Sequence, residues 1–284
     1  MAGVRTETNG NSFGQMLRRW RETRRVSQLD LALDADVSSR HISFIETGRA
    51  HPSREMVLLL SGVLDVPLRE RNALLHAAGF APVYRETDLD APQMDQARQA
   101  LTLILRQQEP FAAIAFDRRW DVLMANAPFL RMSAMIMGPG YQAIAPLSVI
   151  PPPRPNALRM LFDPAGWRPY ILNWDTVARA VLDRAHREYM QDQDPAMREI
   201  IDAVLAYPGV PERWRQPDLA AAQDILIPVV MKFGEHTLRL FTTITSLGSA
   251  QDITLREMRI ESFHAMDEET RGLIYALAGH EQTA

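Results

Sequence analysis

The sequence contains no cysteine, and this absence excludes several classes of protein. Disulfide-stabilised folds, zinc sites with thiolate ligands, iron–sulfur clusters and cysteine nucleophiles all require that residue. Lysine is nearly absent too, because Lys232 stands alone against thirty arginines. A P-loop needs a Gly-Lys pair, which the chain lacks. A Schiff-base enzyme would have to use Lys232, which lies in an apolar stretch with strand periodicity.

Long hydrophobic runs are also missing. The longest apolar stretches, such as Ile225–Met231, are far shorter than a membrane span. Residues 1–12 are polar and lack the apolar core of a signal peptide. We therefore expect a cytoplasmic protein with no membrane span.

Catalytic motifs are absent from the second half of the chain. Its four histidines form no His-x-x-x-His pair for zinc, and no Gly-x-Ser-x-Gly elbow is present. Glu257 and Glu261 could share a strand face, but paired carboxylates on a strand are usually just solvated. These absences predict a receptor and not an enzyme.

The charge of the chain is unevenly distributed. Residues 1–85 carry a formal charge of +3 and residues 86–284 carry −7. Five arginines fall within eight residues, at Arg18, Arg19, Arg21, Arg24 and Arg25. A basic N-terminal region beside an acidic remainder suggests that the N-terminal region binds an anion. The arginine cluster itself is compatible either with a solvated helix face or with phosphate contacts.

Residues 12–80 read as five short helices. Ser12, Ser27 and Ser38 are placed to cap the first three, while Pro52-Ser53 and Pro67 begin the last two. Five helices in a segment of under 70 residues leave no room for a β-sheet.

The order of caps and apolar residues between Ser27 and Ser53 is typical of a helix-turn-helix, whose third helix enters the major groove by its N-terminal end. Arg40 could bind a guanine through two hydrogen bonds, and Phe44 could contact a thymine methyl group. Gln28 and Arg49 suit phosphate contacts. The candidate DNA-binding residues are Gln28, Ser38, Ser39, Arg40, Ser43, Phe44 and Arg49.

The second half alternates between strands and helices. Ala112–Phe116 and Trp120–Ala125 read as a hairpin, and helices follow within 156–206. Three further strands are predicted at Ile225–Phe233, Thr237–Thr245 and Ile253–His264. Residues 138–155, with two glycines and six prolines, read as a loop, and a last helix is expected at Asp267–Ala278. This pattern predicts an α+β domain with a five-stranded antiparallel sheet.

Two sets of residues carry a resemblance to known families. Residues 12–66 resemble the Xre and phage-repressor helix-turn-helix family, and the runs 38–49 (SSRHISFIETGR) and 67–82 (PLRERNALLHAAGFAP) resemble the MmyB-like transcription regulators. Phe116-Asp-x-x-Trp120 with Ala125-Asn126 is similar to the first hairpin of their PAS-like domain, and Leu161-Phe-Asp163 with Asn173-Trp174 is similar to its helical insert. One departure is Asp36, at a turn position that glycine often holds.

The resemblance covers about residues 12–280 and implies a domain division. We expect a five-helix DNA-binding domain at 12–82, a linker at 83–92 and a PAS-like ligand-binding or dimerisation domain at 93–280. The chain would then be a sequence-specific regulator of transcription that binds double-stranded operator DNA as a homodimer. By resemblance, a long-chain fatty acid or a similar lipophilic molecule would be its ligand.

An elongated apolar cavity is expected between the sheet and the 156–206 helices. Arg256 is in phase with Met258 and His264 along the last predicted strand, which makes it a candidate anchor for a carboxylate, although an arginine at the rim paired with a surface acid is the more ordinary explanation. Trp174 and Asn126 could line the pocket or only brace the fold. The candidate ligand-binding residues are Met124, Asn126, Trp174, Phe241, Arg256, Met258 and His264.

Two alternatives remain open at this stage. The C-terminal domain could bind a protein partner or only dimerise, its pocket being filled by side chains. It could also be an enzyme fused to a DNA-binding head, which the missing catalytic motifs disfavour. A ligand retained through purification would separate the first alternative from the sensor interpretation.

Overall fold

The computed structural model describes residues 12–216 and 226–278, and these divide into two compact units. The first unit contains residues 12–86 together with Ala250–Arg256, and the second contains Thr87–Ser249 and the residues from Glu257 onward. The predicted boundaries at 82 and 93 did not include the 250–256 segment in the first unit. Residues 279–280, the end of the predicted second domain, lie outside the described residues.

The first unit is built from short helices, as the sequence predicts. They are α1 (Phe13–Thr23), α2 (Gln28–Asp34), α3 (Ser39–Glu46), α4 (Arg54–Val63) and α5 (Leu68–Ala77).

Local signals fix where these helices begin and end. Ser27, Ser38 and Ser53 each accept a hydrogen bond from the backbone N–H three residues later, at 3.1–3.2 Å. Asp36 has φ +51° and makes the left-handed turn between α2 and α3 that the sequence assigned to it. Gly48 has φ +73° and ends α3.

Apolar residues from all five helices pack together in one core. Leu17, Leu31, Ile42 and Leu74 are fully buried in it. Gly14 allows α1 to approach α3 closely, because an added Cβ would lie 2.5 Å from the carbonyl oxygen of Ile45. The third helix is therefore held rigidly against the first.

Among the described residues, the second unit combines a sheet with six further helices, and it shares a short seventh helix with the first unit. Its elements are α6 (Asp95–Gln107), β1 (Ala113–Phe116), β2 (Val122–Ala125), α7 (Ala127–Met137), α8 (Ala157–Phe162), α9 (Trp174–Asp192), α10 (Pro195–Leu205), β3 (Val229–Phe233), β4 (His236–Thr245), α11 (Ile253–Glu257, shared with the first unit), β5 (Arg259–Ala265) and α12 (Glu268–Leu277). Short 3₁₀ turns occupy Pro92–Met94, Pro139–Ala143 and Arg168–Tyr170.

The sheet has the five antiparallel strands that were predicted, in the order β2-β1-β5-β4-β3. The strand β5, last in sequence, therefore lies in the centre, between the first hairpin and β4. Helices α8, α9 and α10 pack on one face of the sheet, where Phe162, Leu182 and Val204 are fully buried.

One prediction about local structure was wrong. Residues 253–257 form helix α11 and not the start of a strand, because Asp252 Oδ1 accepts from the Thr254 N–H at 2.9 Å and so caps a helical turn. Residues 127–137, for which no element was predicted, form helix α7, and the buried Asn126 side chain accepts from the Phe129 N–H at 3.2 Å at its start.

Candidate nucleic-acid interface and ligand pocket

Helix α3 presents two distinct faces. Ile42 and Ile45 are buried in the core of the unit, while Ser39 and Arg40 are exposed at its first turn. Ser38 caps that turn from an exposed position. The polar N-terminal end of the helix is thus available to a groove, as the sequence predicts.

Phe44 joins two of the predicted contact residues into one surface. The Arg40 guanidinium lies 5.1 Å and the Arg49 guanidinium 6.0 Å from the centre of its half-buried ring. Ser43, one residue earlier, is also half-buried. Two cations are therefore held side by side at the open face of α3, an arrangement that sequence spacing alone did not show.

Gln28 is engaged inside the unit. Its Nε2 donates to Glu46 Oε2 at 2.7 Å, and Arg21 donates to the two oxygens of the same carboxylate at 2.6 and 3.0 Å. Glu46 is buried, so this network satisfies a charge that would otherwise be costly. The predicted phosphate contact of Gln28 would have to be made alongside this bond.

The members of the arginine cluster differ in their partners. Arg21 pairs with the buried Glu46, Arg24 donates to the carbonyls of Leu64 and Asp65, and Arg18 pairs with Glu22 at the surface. Within the described ranges, Arg19 and Arg25 are exposed and make no ion pair. These two, and Arg18 in its exposed pair, are the members best placed for the phosphate contacts that remained open.

The second unit contains a pocket between the sheet and helices α8 and α9, where a cavity was expected. Its volume is about 270 Å³. The lining is mainly apolar and aromatic, and it is contributed by Ile114, Trp120, Phe129, Ala157, Met160, Leu161, Trp167, Val177, Ala180, Val181, Arg184, Arg187, Ile227, Val229, Thr242, Glu261 and Phe263.

One end of the pocket is polar. Arg184, from α9, lies with its guanidinium carbon 4.0 Å from the centre of the Trp120 ring. Glu261 and Thr242 reach the same pocket from the two central strands β5 and β4. Sequence reasoning dismissed Glu261 as a solvated strand residue and did not consider Arg184.

Arg184 is incompletely paired. Its Nε and Nη2 atoms are buried and have no hydrogen-bond partner within the described residues. The nearest carboxylate oxygens are those of Glu188 and Glu261, at 3.6 and 3.5 Å, well beyond the 2.7–2.9 Å of a charge-assisted hydrogen bond. Buried N–H groups of this kind are rare and indicate a missing acceptor.

None of the seven predicted ligand residues lines this pocket. Thr242 and Phe263 are cross-strand partners that line it, whereas the adjacent pair Phe241 and His264 points to the opposite face, where the two rings stack at 4.9 Å. Successive strand residues alternate between faces, so a shift of one residue was enough to select the wrong face. Met124 also lies on that face and borders a separate open groove beside α6.

The assignment of Arg256 rested on a strand that was predicted to begin at Ile253, whereas β5 begins at Arg259. Arg256 lies on α11 and belongs to the first unit, so it is not in phase with the residues of β5. Met258 is buried at the junction of α11 and β5 and does not reach the pocket.

The remaining predicted residues brace the fold. Asn126 is fully buried and bonds to backbone atoms of Leu105, Phe111, Ala113 and Phe129. The polar capacity of its side chain is used in this way.

Trp174 packs edge-on against Phe162 and donates through Nε1 to the Gly209 carbonyl at 2.9 Å. His264 Nε2 lies 3.0 Å from Thr243 Oγ1, and burial lowers the pKa of its imidazole. Neither side chain reaches the pocket.

A second buried cluster is fully paired. Asp194 begins helix α10 and is bonded by Arg118 at 2.8 Å and Arg119 at 2.6 Å. Burial by itself would raise the pKa of the Asp194 carboxyl, but the hydrogen bond from Arg119 and the charge of Arg118 hold it below its usual value.

Comparison with known proteins decides the family. Residues 97–277 match the model of the MmyB-like transcription regulator ligand binding domain, and residues 17–71 match a helix-turn-helix model. The chain belongs to the MmyB-like transcription regulators. It is a DNA-binding regulator of transcription with a C-terminal ligand-binding domain, as its sequence predicts.

Other comparisons add little. No curated protein matches the chain. A solved structure described as "Structure of an RNA-binding Light-Oxygen-Voltage Receptor" is 13% identical over 96% of this chain, with a TM-score of 0.24, and the match spans 64% of that structure's length. A score this low supports no conclusion about fold or function.

Within the described ranges, no group of three or more histidine, aspartate or glutamate side chains could hold a metal ion. No helix in the same ranges is long and apolar enough to cross a membrane.

Proposed function

We propose that this MmyB-like regulator controls transcription in response to a small, mainly apolar molecule bound between the sheet and helices α8 and α9. The observation that carries the proposal is the pocket itself, a mainly apolar cavity in which half-buried Arg184 has two buried nitrogen atoms with no acceptor among the described residues. Pockets of this composition, with few polar groups at one end, are typical of ligand sites.

The pocket is small for a ligand site, at about 270 Å³. An eight-carbon chain with one polar group is therefore a suitable probe. It is shorter than the long-chain fatty acids that the family resemblance implies.

The DNA-binding half of the proposal rests on α3. Its N-terminal turn would enter the major groove, with Arg40 on a guanine and Ser39, Ser43 and Phe44 beside it. Arg49 would contact phosphate next to the same ring, and Ser38 would position the turn as its cap. The exposure of Arg40 and its place over Phe44 support this arrangement.

A homodimer is part of the proposal. One helix in one groove reads too few base pairs for useful specificity, so two copies would bind half-sites about one helical turn apart. Helix α6 offers an apolar residue for the contact, because Leu103 on it is 56% exposed.

Thermal melting of the full chain tests the ligand half directly. A molecule that binds only the folded protein raises its stability by about 2.7 kcal/mol at a hundredfold excess over the dissociation constant. An eight-carbon ligand should therefore raise the melting temperature of wild type and of Ala276→Phe, an exposed control on α12. It should not raise that of Ala180→Phe, whose added ring fills the pocket. If no eight-carbon compound shifts wild type, the protein-interaction alternative replaces the sensor.

A further inference from the structure

Arg184 and Glu261, which lie too far apart for a hydrogen bond of normal length, specify the chemistry of the ligand's polar end. We propose that the pocket selects an uncharged head group that both accepts and donates a hydrogen bond, such as a hydroxyl or a primary amide, over a carboxylate. This inference rests on the proposed ligand-binding function and concerns the same pocket.

Arg184 requires an acceptor. Its Nε and Nη2 are buried and have no hydrogen-bond partner in the part of the chain that the structure describes, and its guanidinium carbon lies 4.0 Å from the centre of the Trp120 ring in the pocket wall. An arginine has only donors, so a ligand must bring a lone pair to satisfy these atoms. A group with donors alone, such as an ammonium, leaves them unsatisfied and adds a second positive charge beside them.

Glu261 requires a donor. Its carboxylate also lines the pocket and lies 3.5 Å from Arg184 Nη2, too far for a hydrogen bond of normal length. An ionised carboxylate has only acceptors. A head group placed against both side chains therefore has to offer a lone pair to Arg184 and a hydrogen to Glu261.

The charge count at this end disfavours an anion. Arg184 already faces two carboxylates, Glu261 at 3.5 Å and Glu188 at 3.6 Å, and the latter is fixed by a 2.9 Å bond from Trp120 Nε1. Arg187, the other cation of the lining, is paired with Asp183. These five side chains sum to −1, so an added carboxylate would be a third around one guanidinium, and like charges that share a site repel.

A matched series of eight-carbon compounds separates these cases. The probes are 1-octanol and octanamide, which donate and accept, octanoate, which only accepts, and octylammonium, which only donates. Binding to the full chain is measured by calorimetry at pH 8, where octanoic acid is ionised. The two neutral compounds should bind about tenfold tighter than either ion, since each ion leaves one buried partner unsatisfied.

Glu261→Gln sharpens the test, because glutamine keeps the shape of the side chain, removes the negative charge and supplies an N–H donor. Octanoate affinity should rise about tenfold in this variant, while Glu199→Gln, the same change on the exposed side of α10, should leave all four affinities unchanged. Loss of 1-octanol binding in Ala180→Phe places the effect in the pocket.

The possible failures are distinct. If octanoate binds wild type as tightly as 1-octanol, the inference about the head group is wrong while the ligand-binding function stands. If none of the four probes binds, the proposed function fails and this inference fails with it. The comparison on wild type alone decides between these results even where Glu261→Gln does not fold.

Discussion

The two units of the protein each place an arginine against a glutamate, and the two pairs differ in burial and in how completely they are hydrogen-bonded. In the helical unit, Arg21 donates to both oxygens of Glu46 at 2.6 and 3.0 Å, and Gln28 completes the site. In the sheet unit, Arg184 and Glu261 stay 3.5 Å apart, and two guanidinium N–H groups have no acceptor among the described residues. A closed polar network rigidifies a unit, whereas an open one beside a cavity leaves capacity for a ligand.

The same contrast extends to packing. The five helices of the first unit pack around one core, and the first turn of α3 is left exposed. The sheet is covered on one side by helices α8 and α9, and this cover leaves the pocket of about 270 Å³. We infer that the helical unit acts as a rigid reader and the sheet unit as the responsive part.

The largest expected effect concerns the closed pair. Arg21→Met should lower the free energy of unfolding of the helical unit by about 3–5 kcal/mol, because it leaves the buried Glu46 carboxylate without its cation. Denaturant unfolding of the full chain, followed by helical circular dichroism, measures the change. Arg18→Met on the same helix is the control, since the Arg18–Glu22 pair is exposed and should have no measurable effect. Equal effects of the two substitutions would show that the buried network is unimportant.

DNA binding should distinguish the two cations around Phe44. Arg40→Ala should cost about 1–3 kcal/mol on the preferred site and relax the preference at one base pair. Arg49→Ala should weaken all sequences alike and reduce the salt dependence, since a phosphate contact carries no sequence information. Site selection from a random DNA library, followed by titrations at two salt concentrations, measures both. If Arg40→Ala kept the base preference of wild type, Arg40 would not be a base-contacting residue.

Two glycines sharpen the packing side of the comparison. Gly14→Ala should destabilise the helical unit by about 1–3 kcal/mol, because its Cβ would lie within 2.6 Å of two α3 carbonyl oxygens and force the helices apart. Gly62→Ala is the matched control, with nothing within 4 Å of the added carbon, and it should stabilise α4 by about 0.5–1 kcal/mol. Chemical unfolding of both variants measures these changes. A Gly14→Ala variant as stable as wild type would contradict the close approach of α1 to α3.

The smallest expected effect is an acid dependence in the sheet unit. The pKa of Asp194 is held below its unfolded value of about 3.9, so its contribution to stability is complete above that pH and is lost as the pH falls through the folded pKa. D194N retains a capping side chain but does not titrate. The difference in melting temperature between wild type and D194N should be largest above pH 5 and should shrink below pH 4. If this difference in melting temperature did not change with pH, Asp194 would not contribute to the acid dependence of stability.

The sequence predicted the helical unit in detail because its signals are local. Serine caps, the turn at Asp36 and the end of α3 at Gly48 each depend on a few neighbouring residues, and all are found in the structure.

The ligand pocket depends instead on which face of a strand is covered, and apolarity alone gave the wrong face for Phe241. One signal was available. Val177 and Val181 are four residues apart in the sequence, so they share one side of α9, and Arg184 follows Val181 by three residues, so it lies on nearly the same side of the helix.

The central claim is that occupation of the pocket changes DNA binding, and fluorescence anisotropy on a labelled operator tests it most directly. With 1-octanol at saturation, the dissociation constant of wild type for the selected operator should change by about fivefold or more, the size of an ordinary coupling between two sites. Ala180→Phe, whose pocket is filled, should show no change. If 1-octanol binds wild type and stabilises it but the operator affinity stays the same, the pocket is not coupled to DNA and the account is contradicted.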